Sequence, residues 1–248
     1  MSKLIKAEFY RSVRSGIFFI IFCVFGLLPT VTPFLSLADM EQKNLYQFLL
    51  YYSEGGGIMI TGYFGIIVSA MISNLYYNRT YYYEIMDGAN THHIIFSKLI
   101  VYNVFSAAVL IIPPVIVYSI VGNKYGIGEM NELWLTVLLG IIIILNISCI
   151  NVFISMLIRH ILAAPILIYT LSMLPLFAYL MITETADMTG VSKYIVKAMR
   201  CMPTIQITEF VKADYSTGFI VTVIGSFVVF FVGLYTLTYI SYKKKNFR

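Results

Sequence analysis

Six long apolar runs, each free of charged side chains, constrain this chain more than any other feature. A helix needs roughly 20 apolar residues to cross the hydrocarbon core of a bilayer. The runs are continuously apolar and lack the alternation of a membrane-spanning β-strand. We therefore predict an all-α membrane protein with six transmembrane helices. The predicted spans are Gly16–Leu37, Gly55–Tyr77, Leu99–Val121, Leu133–Ile158, Ile161–Ile182 and Tyr215–Tyr242.

The composition supports a membrane-embedded chain without a separate soluble domain. Only 12% of the 248 residues are charged, whereas 59% are hydrophobic, and a soluble domain usually has about 25% charged residues. We expect residues 1–248 to form a single transmembrane domain that contacts membrane lipid. Basic and aromatic residues are not interleaved as in a groove that stacks bases, so we predict no nucleic-acid partner.

The distribution of basic residues predicts the orientation of the spans. Eleven of the 17 Lys and Arg residues flank the runs on one side, and six lie on the other. Lys and Arg accumulate in cytoplasmic loops, so the first side is predicted to be cytoplasmic. Both the N-terminus and the C-terminus belong to that side.

Two amphipathic segments are predicted to lie at the membrane surfaces. In the first fifteen residues, Ile5, Phe9 and Val13 share one helical face, which predicts an elbow helix in the inner headgroup layer. In the long outer loop 183–214, Lys193, Lys197 and Arg200 line one face of a second helix, predicted over Val191–Met202 and ended by Pro203. That helix is predicted to lie flat or to dip into the outer leaflet, and an inert interfacial cap is the alternative.

The cytoplasmic loop 79–98 mixes aromatic, apolar and charged residues around a glycine. This pattern favours a short surface helix that offers one face to a partner protein. His92, His93 and His160 are interpreted as solvated residues, because no carboxylate lies at metal-ligand spacing from them. The residues predicted to couple the chain to a partner are Tyr83, Glu84, Ile85, Met86, Asp87, Gly88, Thr91 and His92.

The chain lacks the sequence features that would let it drive chemistry alone. No ionisable residue lies in the middle of a predicted span, and neither GxxxxGK[ST] nor HExxH occurs. We therefore predict that the chain is not an enzyme and has no catalytic residue, metal site or cofactor of its own. Neutral polar residues within the spans indicate either hydrogen bonds between helices or a polar lining for a transport path. They are Ser69, Ser73, Asn74, Asn146, Ser148, Asn151 and Ser155.

The whole chain resembles the membrane subunits of type-2 ABC exporters. Those permeases have an amphipathic elbow helix, six spans, a coupling helix between spans two and three, and short helices between spans five and six. Their cytoplasmic loop often carries an acidic residue, a Gly-Thr turn, a basic pair and then Ser/Gly-Lys. The matching positions here are Glu84, Gly88, Thr91, His92-His93 and Ser97-Lys98. His stands where Arg is usual, and Gly88 and Thr91 are separated.

The resemblance implies a mechanism and a set of partners. Two permease subunits would pair, as a homodimer or a heterodimer, and two separate ATPase subunits carrying ATP and Mg would dock on the coupling helices. The implied location is the bacterial cytoplasmic membrane. In its length and its lack of an extra domain, the chain resembles the small permeases that export antimicrobial peptides or peptide toxins, or that confer immunity to them. Small drugs, lipids or ions are alternative cargoes, and an intramembrane enzyme or an accessory subunit is the alternative from another class.

Overall fold

In a computed structural model, the chain is all-helical over the residues that the structure describes. These are residues 1–14, 24, 44–51, 57–78, 84, 88–128, 133–185, 191–211 and 217–245. The helices are α1 Ser2–Arg14, α2 Leu45–Tyr51, α3 Gly57–Tyr77, α4 Thr91–Ser106, α5 Ile112–Tyr125, α6 Leu133–Ile158, α7 Ala163–Thr185, α8 Val191–Met199, α9 Pro203–Glu209 and α10 Thr217–Lys245.

Helix α6 is the centre of the bundle. It contacts α3, α4, α7, α9 and α10, and most of its side chains are buried, including Ile143, Val152 and Phe153. Helices α7 and α10 leave long apolar faces exposed, as expected when lipid rather than water surrounds a helix. Helix α1 packs on α4 and so caps one end of the bundle.

Four helical segments are long and apolar enough to cross a membrane within the described part of the chain. They are 91–125, α6, 163–183 and 217–244. Helix α3 corresponds to the predicted second span and has 21 residues. Its part Phe64–Tyr77 is apolar but shorter than the four segments above. Apart from Val24, the predicted first span lies outside the described residues. The total of six spans and the orientation stay predictions.

A π-helical segment interrupts the third predicted span. Residues Ala107–Ile111 form it between α4 and α5, and Pro113 and Pro114 follow at the start of α5. Proline has no N–H to donate and its ring crowds the carbonyl four residues earlier. A wider turn before the two prolines accommodates both effects without ending the helix.

A further short helix follows the predicted outer amphipathic helix. Helix α8 ends at Met199, three residues earlier than predicted, and α9 begins at Pro203, whose missing N–H is not needed at a helix start. Helix α9 is inserted between α3, α6, α7 and α10. Its residues Ile205 and Ile207 are almost fully buried. Helix α9 is therefore part of the core, whereas α8 leaves Tyr194, Ile195 and Lys197 exposed.

Helix α6 ends at an arginine in an unusual backbone conformation. Arg159 has φ 55°, the left-handed region that costs a residue with a Cβ about 1–2 kcal/mol. Its guanidinium lies 4.0 Å from the ring centroid of Tyr242 and 5.4 Å from that of Tyr76. These contacts join the end of α6 to the ends of α3 and α10, and they offset the backbone cost.

Replacing Arg159 by alanine is expected to destabilise the fold more than replacing it by glycine. Both variants lose the ring contacts, but only alanine retains the cost of the left-handed conformation. The free energy of unfolding should therefore be about 1 kcal/mol higher for Arg159→Gly than for Arg159→Ala, which makes the glycine variant the more stable one. Thermal unfolding in detergent measures the difference. Equal stability of the two variants would contradict this explanation.

Candidate functional site

Four charged side chains meet where α1, residue 84 and α4 come together. Lys98 on α4 bonds Glu8 on α1 through its Nζ, which also lies 3.6 Å from Oε2 of Glu84. Arg11 on α1 places Nη1 3.4 Å from Oε1 of Glu84 and 3.6 Å from Oε2 of Glu8. We call Glu8, Arg11, Glu84 and Lys98 the ionic cluster. Its two carboxylates and two cations balance in charge.

The ionic cluster is mostly removed from water. The side chain of Lys98 is 0% exposed, those of Glu8 and Glu84 are 2% and 9% exposed, and only Arg11 reaches solvent at 35%. Burial raises the pKa of Glu84, an effect that Lys98 and Arg11 oppose and that Glu8 reinforces. Each buried charge therefore depends on its partners, and the cluster fixes α1 and residue 84 to α4.

A turn at residues 88–90 leads into α4. The N–H of Ala89 donates to the carbonyl of Glu84 at 3.2 Å, and Gly88 has φ 75°, which favours glycine. Asn90 then caps α4, with Oδ1 accepting from the N–H of His92 at 3.2 Å. Gly88 and Asn90 are exposed, so this turn presents its outer surface at the end of the bundle.

The interpretation of His92 as a solvated residue is wrong. Its ring is partly buried and stacks on Tyr239 with centroids 4.4 Å apart, and its Nδ1 shares a hydrogen bond with the hydroxyl of Tyr235. The start of α4 runs along the end of α10. Tyr235 and Tyr239 are four residues apart on α10, so both rings face His92. His92 thus connects the turn to α10. His93 and His160 are exposed, and Nδ1 of His160 accepts from the N–H of Ala163 at 3.2 Å.

The structure brings some of the predicted coupling residues together and leaves others undescribed. Glu84, Gly88, Thr91 and His92 lie within the turn and the first residues of α4. Glu84 points inward to the ionic cluster rather than outward to a partner. Tyr83, Ile85, Met86 and Asp87 lie outside the described residues.

The buried face of the elbow helix is polar, which the apolar pattern does not predict. Glu8 and Ser12 are 1% and 4% exposed, whereas Phe9 is 45% exposed and only stacks on Phe105 from the edge of the bundle. Ile5 and Val13 are partly buried against the core. The sequence signal for this face was the presence of Glu8 four residues before Ser12 on a helix of otherwise basic charge.

The neutral polar residues within the spans occupy different environments. Ser148 shares a hydrogen bond of 2.6 Å with Ser106 and so joins α6 to α4, while Ser155 donates to the carbonyl of Asn151 within α6. Asn74 is exposed and accepts from Asn78. The remaining members are buried, and their side chains have atoms without a hydrogen-bond partner among the described residues: Ser69, Ser73, Asn146 and Asn151.

The segment between α8 and α9 carries another ion pair. Arg200 donates from Nε to Oε1 of Glu209 at 3.0 Å, and the Tyr179 hydroxyl donates to the same oxygen. These contacts tie the segment between α8 and α9 to α7. Lys197 is exposed on α8, and Lys193 belongs to the same helix.

The described residues contain no group of three or more His, Cys, Asp or Glu side chains that could hold a metal ion. Comparison of the chain with protein families, with curated proteins and with solved structures finds no match. The fold and the site define a helical protein with apolar helices of membrane-spanning length and a buried ionic cluster at one end.

Proposed function

We propose that the chain is the permease subunit of an ATP-driven ABC exporter that moves an amphipathic, membrane-active peptide out of the cell or the membrane. The observation that carries the proposal is the ionic cluster. It joins the elbow helix, residue 84 and α4 into one unit at the end of the bundle where basic residues accumulate. If another protein displaces this unit, the displacement is transmitted to a long apolar helix.

The turn between Glu84 and α4 is the proposed contact for the ATPase. Its exposed surface at Gly88, Asn90 and His93 is available to a partner, while its inner side is bonded to α1 through Glu84. His92 adds a second connection, to Tyr235 on α10. A displacement of the turn would therefore move α1, α4 and α10 together, because buried contacts of this kind do not deform continuously.

ATP hydrolysis belongs to a separate chain in this proposal. Two ATPase subunits bind ATP and Mg and dock beneath two permease subunits at the cytoplasmic side of a bacterial membrane. The apolar faces of α7 and α10 suit a cargo that is itself dissolved in the bilayer. A membrane-active peptide has that property, since it combines an apolar face with a polar one.

Co-expression with the ATPase encoded nearest to this chain tests the proposal. The two proteins should purify as one complex, and vesicles containing the complex should accumulate a fluorescent amphipathic peptide only when ATP is supplied. A chain that purifies without any ATPase, and that gives vesicles with no ATP-dependent movement, would remove the proposal.

Reversing the charge of Glu84 is expected to uncouple ATP hydrolysis from transport. Glu84→Lys places a third cation beside Arg11 and Lys98, so the turn is released from α1. We expect peptide transport to fall by about tenfold while ATP hydrolysis by the bound ATPase continues. Lys6→Glu is the matched control, because Lys6 is an exposed residue on α1. Undiminished transport by Glu84→Lys would exclude the coupling role.

A further inference from the structure

A cavity of about 230 Å³ lies inside the bundle, beneath the segment that joins α8 to α9. Its walls come from α6, α7 and α10, and Met202, Pro203 and Thr204 close it on one side. The start of α9 thus lies against α6 at the level of Ile147 to Ile154. The cavity is separate from the ionic cluster, which lies against α1 and α4.

The lining selects an uncharged ligand. None of the described residues that line the cavity is charged, and most are aliphatic or aromatic, such as Ile150, Leu171, Phe230 and Leu234. A charged group would lose its hydration there without gaining an ion-pair partner.

Asn151 supplies the polar contact in this apolar wall. The residue is 3% exposed, and its Nδ2 has no hydrogen-bond partner among the described residues. Gly65 on α3 makes room for the amide, since a Cβ at that position would lie 2.6 Å from Nδ2. The structure places Nδ2 on the side of Gly65, which does not line the cavity. The terminal torsion of asparagine is broad and roughly two-fold, so a half-turn exchanges Nδ2 with Oδ1 and lets the N–H₂ face the cavity. A ligand that carries a hydrogen-bond acceptor would satisfy this buried donor.

The cavity opens sideways, towards the surroundings of the bundle. Leu171 and Met202 at its rim are 49% and 36% exposed. Asn151 lies seven residues before the end of α6, or about 10 Å along the helix axis, so the opening is at a depth where hydrocarbon surrounds the helices. A ligand would reach the cavity from the bilayer.

We propose that this cavity binds one uncharged aliphatic chain that bears a carbonyl acceptor, as in a lipid ester, with the carbonyl accepting from Asn151. The site belongs to this chain alone, so it does not rest on the presence of an ATPase. It also differs from a transport path, because binding requires neither ATP nor a second subunit.

Photo-cross-linking on the purified full chain in lipid nanodiscs tests the proposal. The probe is a medium-chain fatty acid methyl ester with a diazirine at its terminal carbon, and the comparison probe is an alkane of equal length without the ester. The ester probe should label residues of α6, α7 or the α8–α9 segment. Asn151→Leu should reduce ester labelling by about fivefold, the factor for one hydrogen bond, and leave alkane labelling unchanged.

Two tryptophan variants on α7 control for folding, because both positions are exposed. Leu171→Trp fills the rim and should abolish labelling by both probes, while Leu174→Trp, 62% exposed and not part of the lining, should not change it. Both should elute as single species on size exclusion. Absence of labelling in the natural chain, or labelling that Leu171→Trp does not reduce, would overturn the site. Equal labelling by the two probes in the natural chain would overturn the acceptor contact.

Discussion

Replacing Lys98 by methionine is expected to destabilise the protein more than any other substitution described here. Methionine keeps the length of the side chain but leaves the buried carboxylate of Glu8 without its nearest cation. Removing one member of a buried ion pair costs about 3–5 kcal/mol. Arg11, at 3.6 Å from Glu8 and largely on the rim of the cluster, cannot replace the lost contact. Chemical unfolding in detergent solution measures the loss.

A double variant separates the loss of the ion pair from the loss of packing. Replacing Glu8 by leucine together with Lys98→Met removes both members of the closest pair and leaves Glu84 with Arg11, and apolar replacement of a whole pair is often neutral. We expect the double variant to recover most of the lost stability. Lys197→Met, at an exposed position, should unfold like the natural chain. A double variant that is no more stable than Lys98→Met alone would contradict the assignment of a buried ion pair.

Replacing Gly65 by valine is expected to give the second-largest effect. A Cβ at this position would lie 2.6 Å from Nδ2 of Asn151 and 3.0 Å from Cγ2 of Ile168. Helices α3, α6 and α7 therefore meet at a point where only a hydrogen atom fits. Forcing extra carbon atoms into a packed interior costs about 1–3 kcal/mol.

Gly225 provides a matched control for Gly65. It lies on the exposed side of α10, and a Cβ there would meet no atom within 4 Å. Gly225→Val should unfold at the temperature of the natural chain, whereas Gly65→Val should unfold at a lower one. Equal melting temperatures would mean that the helices do not approach closely at Gly65.

The long helices could be predicted from the sequence because each depends on a local property. Helix α6 has the same bounds as the predicted span Leu133–Ile158, and α10 begins two residues after its predicted start at Tyr215. Continuous apolar runs bounded by charged or polar residues specify such helices without reference to the rest of the chain. The number of helices that cross the membrane and the orientation of the chain depend on the bilayer. Both stay predictions.

The ionic cluster could not be predicted because its members are far apart in the sequence. Glu8 and Lys98 are separated by 90 residues, and Arg11 and Glu84 by 73. Each looks like an ordinary interfacial charge when read with its neighbours alone. The same limitation explains the error at His92, whose partner Tyr235 is 143 residues away. Long-range contacts of this kind follow from packing rather than from local pattern.

The position of α9 was also missed, for a related reason. Pro203 was interpreted only as the residue that ends α8, but a proline is equally suited to begin a helix, and α9 begins there. The short apolar stretch after it, with Ile205, Ile207 and Phe210, reads as a loop when only long runs are counted as spans. The close approach of Phe210 to Gly140 on α6 is what holds the segment inside the bundle.

Cross-linking from the turn before α4 tests the proposed function most directly. A photo-reactive amino acid in place of the exposed residue His93 should form a covalent product, in native membranes, with a protein that carries an ATP-hydrolysing GxxxxGK[ST] sequence. The same amino acid in place of Cys201, which is exposed and lies on the segment between α8 and α9, should not form it. A product with that ATPase from position 201 but not from position 93 would contradict the docking of an ATPase on this turn, as would labelling of position 93 from outside the cell.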